Sequence, residues 1–190
     1  QILEDEKVGA AARDLYRDAQ AMLKKIVDEK WLTARAVIGF WPANSVDDDI
    51  LVYGDKARKF PIQTLHTLRQ QMARDAGRPN LALSDFVAPA AKNGEKVTAD
   101  YIGAFAVTAG IGEEVRIKAF EDAKDDYSAI LLRALSDRFA EAFAERMHEK
   151  VRRDYWGDAA DEAFPNNEMI AEKYQGIRPA PGYPPQPEHR

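Results

Sequence analysis

Apolar residues recur at spacings of three and four from Leu3 to Val27, through Val8, Ala11, Leu15, Tyr16, Ala19, Met22, Leu23 and Ile26. That period puts them on one face of an amphipathic helix over residues 3–30, closed by the polar Asp28, Glu29 and Lys30. Residues 34–43, ARAVIGFWPA, are a short apolar run that predicts a buried strand stopped by Pro42. Turn chemistry with a carboxylate cluster follows over 44–49. Residues 49–54, DILVYG, predict a second strand, the hairpin partner of the first. Leu65, Leu68 and Met72 predict one or two helical turns within 61–72. Residues 83–87 form a short element with Ser84 as its candidate cap. A polar loop occupies 93–98. The run YIGAFAVT at 101–108 has no polar alternation and predicts a central strand covered on both faces. Gly110 and Gly112 end it.

The longest pattern runs from about Glu113 to Trp156. Tyr127, Ile130, Leu131, Ala134 and Leu135 form an apolar stripe, continued by Phe139, Phe143, Met147, Val151 and Tyr155. The expected helix breaks once, near 124–126. A short helix at 167–174 follows. The last thirteen residues, RPAPGYPPQPEHR, hold five of the ten prolines. Proline fixes φ and lacks a backbone donor, so an extended, stiff loop is expected there. Helix, strands, long helix is the order of an α+β domain with a small antiparallel sheet.

With 190 residues, 45% of them hydrophobic, the chain has the composition of one globular domain, or two small ones. A net charge of -5 gives no attraction to phosphate backbones, which argues against nucleic acid as a partner. The absence of cysteine removes disulfides, thiolate metal sites and cysteine nucleophiles, and fits a reducing cytoplasm. The acidic N-terminal residues do not form a signal peptide, and no apolar run reaches the ~20 residues of a membrane span.

Three constellations carry candidate chemistry. Arg178, Gly182, Tyr183 and His189 lie in the proline-rich loop. Arg178 offers a rigid fork that matches a carboxylate, Gly182 permits positive φ, and the backbone presents mainly carbonyls. Such a loop suits a zwitterion with an extra positive charge. On composition alone it is more often a stiff surface linker. Asp137, Glu141 and His148 share one face of the long helix, flanked by Arg133 and Arg152. They suit acid–base work or docking of a charged partner, although a solvated face is the commoner meaning of such a row. Ser45 to Asp49, SVDDD, has three successive carboxylates without a glycine-punctuated calcium loop, so turn solvation is the better reading. The glycines after the 101–108 strand lack GxGxxG spacing, and His66, His148 and His189 lack ligand-pair spacing.

RPAPGYPPQPEH, preceded by NEMIAEKYQGI, resembles the signature of the activation domain of cobalamin-dependent methionine synthase. In the same order, DEKWLTARAVIGFWPANSVDDDI, LRQQ at 68–71, LSDFVAP, DYIGAFAVTAG and ALSDRFAEAFAERMHEKVRRDYWG also resemble that family. The resemblance covers essentially all of residues 1–190, read as an activation domain incomplete at both ends.

It implies a C-shaped α+β fold around a twisted antiparallel sheet. It also implies a role in reactivating the methyltransferase: S-adenosylmethionine is bound, and its methyl is presented for reductive methylation of oxidised cobalamin. The cobalamin is carried by another module of the enzyme, and a flavodoxin-type partner supplies the electron. By resemblance, Arg178 holds the methionine carboxylate and Gly182 and Tyr183 line the groove, with Tyr183 facing the cobalamin. Glu141 and Glu172 fall at or beside the groove, and Asp137 falls where the cobalamin-binding domain docks. The chain alone is then not catalytic, and the enzyme is cytoplasmic. The family's groove also takes an aspartate from before Gln1 and an aromatic pair from after Arg190. Pro185 and Gln186 stand where a small residue and cysteine are frequent. A docking scaffold for the redox partner and the cobalamin domain, without ligand binding of its own, is the competing reading. A free-standing protein that has lost the binding function is a weaker one.

Overall fold

A computed structural model of the chain describes residues 2–75, 77–91 and 98–187. The chain forms two compact units, Gln1–Val37 with Ala106–Glu172 and Ile38–Phe105 with Lys173–Arg190. Four strands make one sheet in the order β3-β2-β1-β4, with β1 at Thr33–Val46, β2 at Asp49–Tyr53, β3 at Pro61–His66 and β4 at Asp100–Ile111. Strands β1, β2 and β3 pair antiparallel. With the helices this is the expected α+β architecture.

The first unit is mainly helical. Helix α1 spans Gly9–Asp28, after a short 3-10 turn at Ile2–Glu4. It starts later than the apolar period suggests because the Asp5 carboxylate accepts from the backbone N–H groups of Lys7 and Val8, which forms a turn there. Helix α2 (Glu113–Asp122) begins at Gly112, which takes φ 102. A side chain at that position would bring Cβ to 3.0 Å from the Trp31 carbonyl, so the glycine fits a close approach and a left-handed turn together. Helix α3 spans Asp126–Lys150. The break before it falls where the sequence placed it. Lys124 takes φ 61, and Asp125 caps α3 by accepting from Ser128 N at 3.0 Å.

Met22 and Ile26 of α1, Ile117 of α2, and Ala129, Leu131 and Leu132 of α3 form the core of this unit, flanked by Trp31, Phe120, Leu135 and Phe139. Leu132 is fully buried, so truncation to alanine would cost about 2–5 kcal/mol. The buried face of α3 is centred on Ala129, Leu132 and Ser136, and of the expected stripe Leu131 and Met147 are buried as well. Tyr127 and Ile130 are 52% and 64% exposed, Phe139 and Phe143 are half-buried, and Asp137 is exposed. Helix α3 carries apolar residues around much of its circumference, so the packing of α1 and α2 selects the face. Past Lys150 the chain makes one π-helical turn, Val151–Tyr155. The expected helix at 167–174 is shorter, α4 at Asn166–Ile170.

The second unit is built on the hairpin β1–β2, in which Val46 faces Asp49 across a two-residue turn with Asp47 at φ 52. Ala43, Ile50, Val52 and Val87 are its core. Four expectations are corrected here. Strand β1 runs through Pro42 to Val46, because cross-pairing with β2 starts only at Ala43 and the missing proline N–H is not needed in that register. Residues 61–66 are strand rather than helix: Leu65 lies opposite the fully buried Ile50, and His66 opposite Asp49. Ser84 does not cap the 3-10 turn Leu83–Phe86; it is buried, and the Asp85 carboxylate accepts from Ala82 N at 2.9 Å instead. Finally, β4 is an outer strand among the described residues, not a central one. Its apolar run is rich in small residues. Gly103 passes Phe40 so closely that a Cβ would lie 3.2 Å from the ring. The composition reflects close approach rather than cover on both faces. Most of the polar loop expected at 93–98 lies outside the described residues. Among those described, no helix is long and apolar enough to cross a membrane.

Candidate functional site

The proline-rich loop belongs to the second unit, and its sequence dictates its local shape. Ala180, Pro181, Gly182 and Tyr183 form a β-turn closed by Tyr183 N–H to Ala180 O at 3.0 Å, with Gly182 at φ 95. Proline presets the second position of such a turn, and positive φ at the third requires glycine or a close substitute. A second turn follows at once, closed by Gln186 N–H to Tyr183 O at 2.8 Å, and Gly182 N–H reaches Gln186 O at 2.8 Å. The loop is therefore folded back on itself over 180–186, not extended as composition suggests. Pro181, Pro184 and Pro185 have no N–H, and the amides of Gly182, Tyr183 and Gln186 are all used inside the turns. Toward a ligand, the backbone of 181–186 offers only carbonyl oxygens. Arg178 is half-buried just before these turns, and Tyr183 is 55% exposed. His189 lies outside the described residues.

The helical candidates belong to the first unit. Asp137 and Glu141 stand one turn apart on the exposed face of α3, and Glu141 pairs with Arg138 at 2.7 Å. Glu172 is exposed just after α4, with its backbone at φ 53. His148 does not join them. It is buried and faces Arg152, whose Nη1–H donates to His148 Nδ1 at 2.7 Å. The same guanidinium grips both oxygens of Glu162, with Nε–H to Oε2 at 2.8 Å. That bond holds the Glu162 carboxyl below the ordinary glutamate range, against the opposing effect of burial. Arg152 thus does not flank a polar docking stripe, and His148 is not part of one. The spacing of His148 and Arg152 shows they are one turn apart. Nothing in the sequence marks Glu162, ten residues further on, as the partner, because the chain between them is irregular.

Two carboxylates of the SVDDD segment have side-chain partners within the hairpin region. Asp48 accepts from Arg69 Nε–H at 3.1 Å and Nη2–H at 2.6 Å, and Asp49 meets His66 Nδ1 at 3.0 Å. Among the described residues no group of three or more histidine, cysteine or acidic side chains is placed to hold a metal ion.

The family described as vitamin B12 dependent methionine synthase, activation domain, matches residues 1–190. The chain belongs to that activation-domain family. Its fold is also similar to a crystal structure described as the MetH reactivation domain bound to AdoHcy, with TM-score 0.85 and 52% sequence identity. The match covers 99% of this chain and 56% of the other, so the chain spans little more than half of that relative.

Several motifs of this activation domain have a structural explanation. Arg69, in LRQQ, forms a bidentate pair with Asp85, in LSDFVAP, at 2.7 Å for both bonds, while also holding Asp48 of the hairpin turn and Asn80 O. Gln70 completes the seam through Gln70 N–H to Leu81 O and Leu81 N–H to Gln70 Oε1. Ser45 Oγ donates to Val87 O, and the Asn44 amide donates to Ala88 O and Thr98 O. These residues fasten irregular segments to the hairpin.

Proposed function

We propose that the chain is the S-adenosylmethionine-binding part of a methionine synthase reactivation module. The observation that carries this reading is the loop over 178–186, which joins a guanidinium to a backbone that presents only acceptors. A neutral or anionic ligand finds no backbone donor at 181–186, whereas a sulfonium or ammonium finds several carbonyl dipoles. The bound AdoHcy in the structurally similar reactivation domain supports the same ligand class.

Arg178 then grips the methionine carboxylate through two parallel charge-assisted bonds. The carbonyls of the double turn face the cationic part of the ligand. Tyr183, exposed at the turn, lines the groove toward the acceptor side. Cobalamin, carried by another module, would supply the cobalt that takes up the methyl group. When the S–CH₃ bond breaks, the sulfonium becomes a neutral thioether, and the attraction to the carbonyl oxygens is lost. The loop therefore favours reactant over product, which aids release. Glu141 and Glu172 are proposed further ligand contacts, and Asp137 a proposed contact for the cobalamin-binding domain. In this reading the electron comes from a flavodoxin-type partner, the enzyme is cytoplasmic, and the module has no turnover of its own.

Calorimetric titration of S-adenosylmethionine into the complete activation domain tests the site. Charge-assisted pairs contribute about 1.5–3 kcal/mol, so Arg178→Ala should weaken binding by roughly ten- to a hundred-fold. Arg178→Lys keeps the charge but loses the fork and should also bind more weakly than wild type. Unchanged affinity in Arg178→Ala would remove the residue from the site and favour the docking-scaffold reading.

A further inference from the structure

The first unit contains a groove of about 450 Å³ that is lined by none of the candidate site residues named above. That volume lies within the ~300–1,000 Å³ of small-molecule sites. Met22, Phe120 and Leu131 give it an apolar floor, and Trp31 a wall. Its polar groups carry both signs. Arg116 lies over the Trp31 ring, 4.8 Å from its centroid. A guanidinium stacked this way keeps its N–H edge available for a carboxylate. No carboxylate among the described residues pairs with Arg116, nor with Lys25 beside it. The acidic groups Glu29 and Asp125 are oriented by neutral donors, Trp31 Nε1–H to Glu29 at 2.7 Å and Ser128 N–H to Asp125 at 3.0 Å, whereas Asp18 accepts from Tyr127 Oη–H at 3.0 Å and is also ion-paired with Arg17 at 3.1 Å. Trp31 and the Ser128 amide thus hold Glu29 and Asp125 in place without neutralising them.

We propose that this groove binds a zwitterionic amino acid with a large apolar side chain. Arg116 and Lys25 receive its carboxylate, the oriented carboxylates receive its ammonium, and the side chain lies on Met22, Phe120 and Leu131. A simple anion would leave Glu29 and Asp125 unmatched, and a simple amine would leave Arg116 unmatched, so a ligand with both charges complements the lining.

The test uses the 190-residue chain, labelled with ¹⁵N, and L-phenylalanine as probe. Saturable shifts of the Trp31 indole N–H resonance are expected. The comparators 3-phenylpropionate and 2-phenylethylamine each lack one charge and should bind about tenfold more weakly, the loss of one exposed charge-assisted contact at roughly 1.4 kcal/mol per decade. Arg116→Gln, a change at an exposed side chain, should weaken L-phenylalanine by a similar factor and leave 2-phenylethylamine unaffected. Ala21→Trp fills the groove from its exposed rim and should abolish binding with the rest of the spectrum unchanged. Failure of L-phenylalanine to shift Trp31 saturably, equal affinity for all three compounds, or an unaltered titration in both variants would each overturn the proposal.

Discussion

Arg69 and Arg152 do the same chemical job in different surroundings. Each guanidinium bridges more than one protein partner, and each holds a carboxylate through two bonds. The Arg69 side chain is 34% exposed and Asp48 and Asp85 are 48% and 36% exposed, whereas Arg152 and Glu162 are only 5% and 6% exposed. Water can replace either partner of the Arg69 clamp. It cannot reach an orphaned charge at Arg152. The geometry is shared, and the consequence of losing one partner is set by solvent access.

The largest effect is therefore expected at the buried pair. Glu162→Ala leaves Arg152 charged and uncompensated, and should cost about 3–5 kcal/mol, or roughly 6–20 °C in melting temperature for a chain of this size. Thermal unfolding followed by circular dichroism measures it. The double change Arg152→Met with Glu162→Leu should recover part of that loss, since no unpaired charge remains. A double variant as unstable as Glu162→Ala would show that packing, not charge, is at stake.

Acid distinguishes the two pairs next. The Glu162 carboxyl is lowered first by its bond to Arg152, and Asp85 by its bond to Arg69. A carboxyl whose folded pKa lies below its unfolded value contributes stability above the unfolded pKa, about 4 for these groups. That contribution disappears as pH falls through 4 toward the lower folded values. Melting temperature should drop over this window, and Glu162→Gln should flatten the drop. An unchanged pH profile in Glu162→Gln would mean the carboxyl is not held charged.

Arg69→Ala should lower the melting temperature less than Glu162→Ala does. Its effect should be local, with faster amide exchange at β2 and at Leu83–Phe86 while α1 and α3 keep their protection. Faster exchange throughout would contradict a clamp confined to one unit. The smallest effect on stability belongs to Asp137→Asn, an exposed change expected to leave the melting temperature where it is. In the intact enzyme it should slow reactivation and spare primary turnover. Equal loss of both activities would point to folding damage instead of docking.

Local features were read from residues with good reason. The break near 124–126 was read from the sequence, and the structure shows its local cause, the Asp125 carboxylate satisfying the orphaned Ser128 N–H. The hairpin at 46–49 follows from two apolar runs flanking a turn. The double turn at 180–186 was missed although its signal, Pro-Gly followed by Pro-Pro, is present; stiffness was taken to mean extension, while proline at the second position equally starts a turn. The segment 61–66 was misassigned because Leu65, Leu68 and Met72 fit a helical period, and only pairing with β2 makes the first of them a strand residue. The candidate site divides likewise. Arg178, Gly182 and Tyr183 lie within six residues, so one loop holds them, whereas Asp137, Glu141 and His148 share a helical face but not an environment.

By itself the sequence determined the α+β class, the amphipathic helices, the break before α3, and a loop whose prolines leave its backbone presenting mainly carbonyls. These depend on φ restrictions and hydrogen-bond inventories that each residue carries with it. Tertiary structure alone decided that β4 lies at the edge of the sheet, that Leu132 rather than Tyr127 faces the core, and that Arg152 meets Glu162. Such outcomes depend on which surfaces arrive from distant parts of the chain to exclude water, and no window of residues encodes its own solvent exposure.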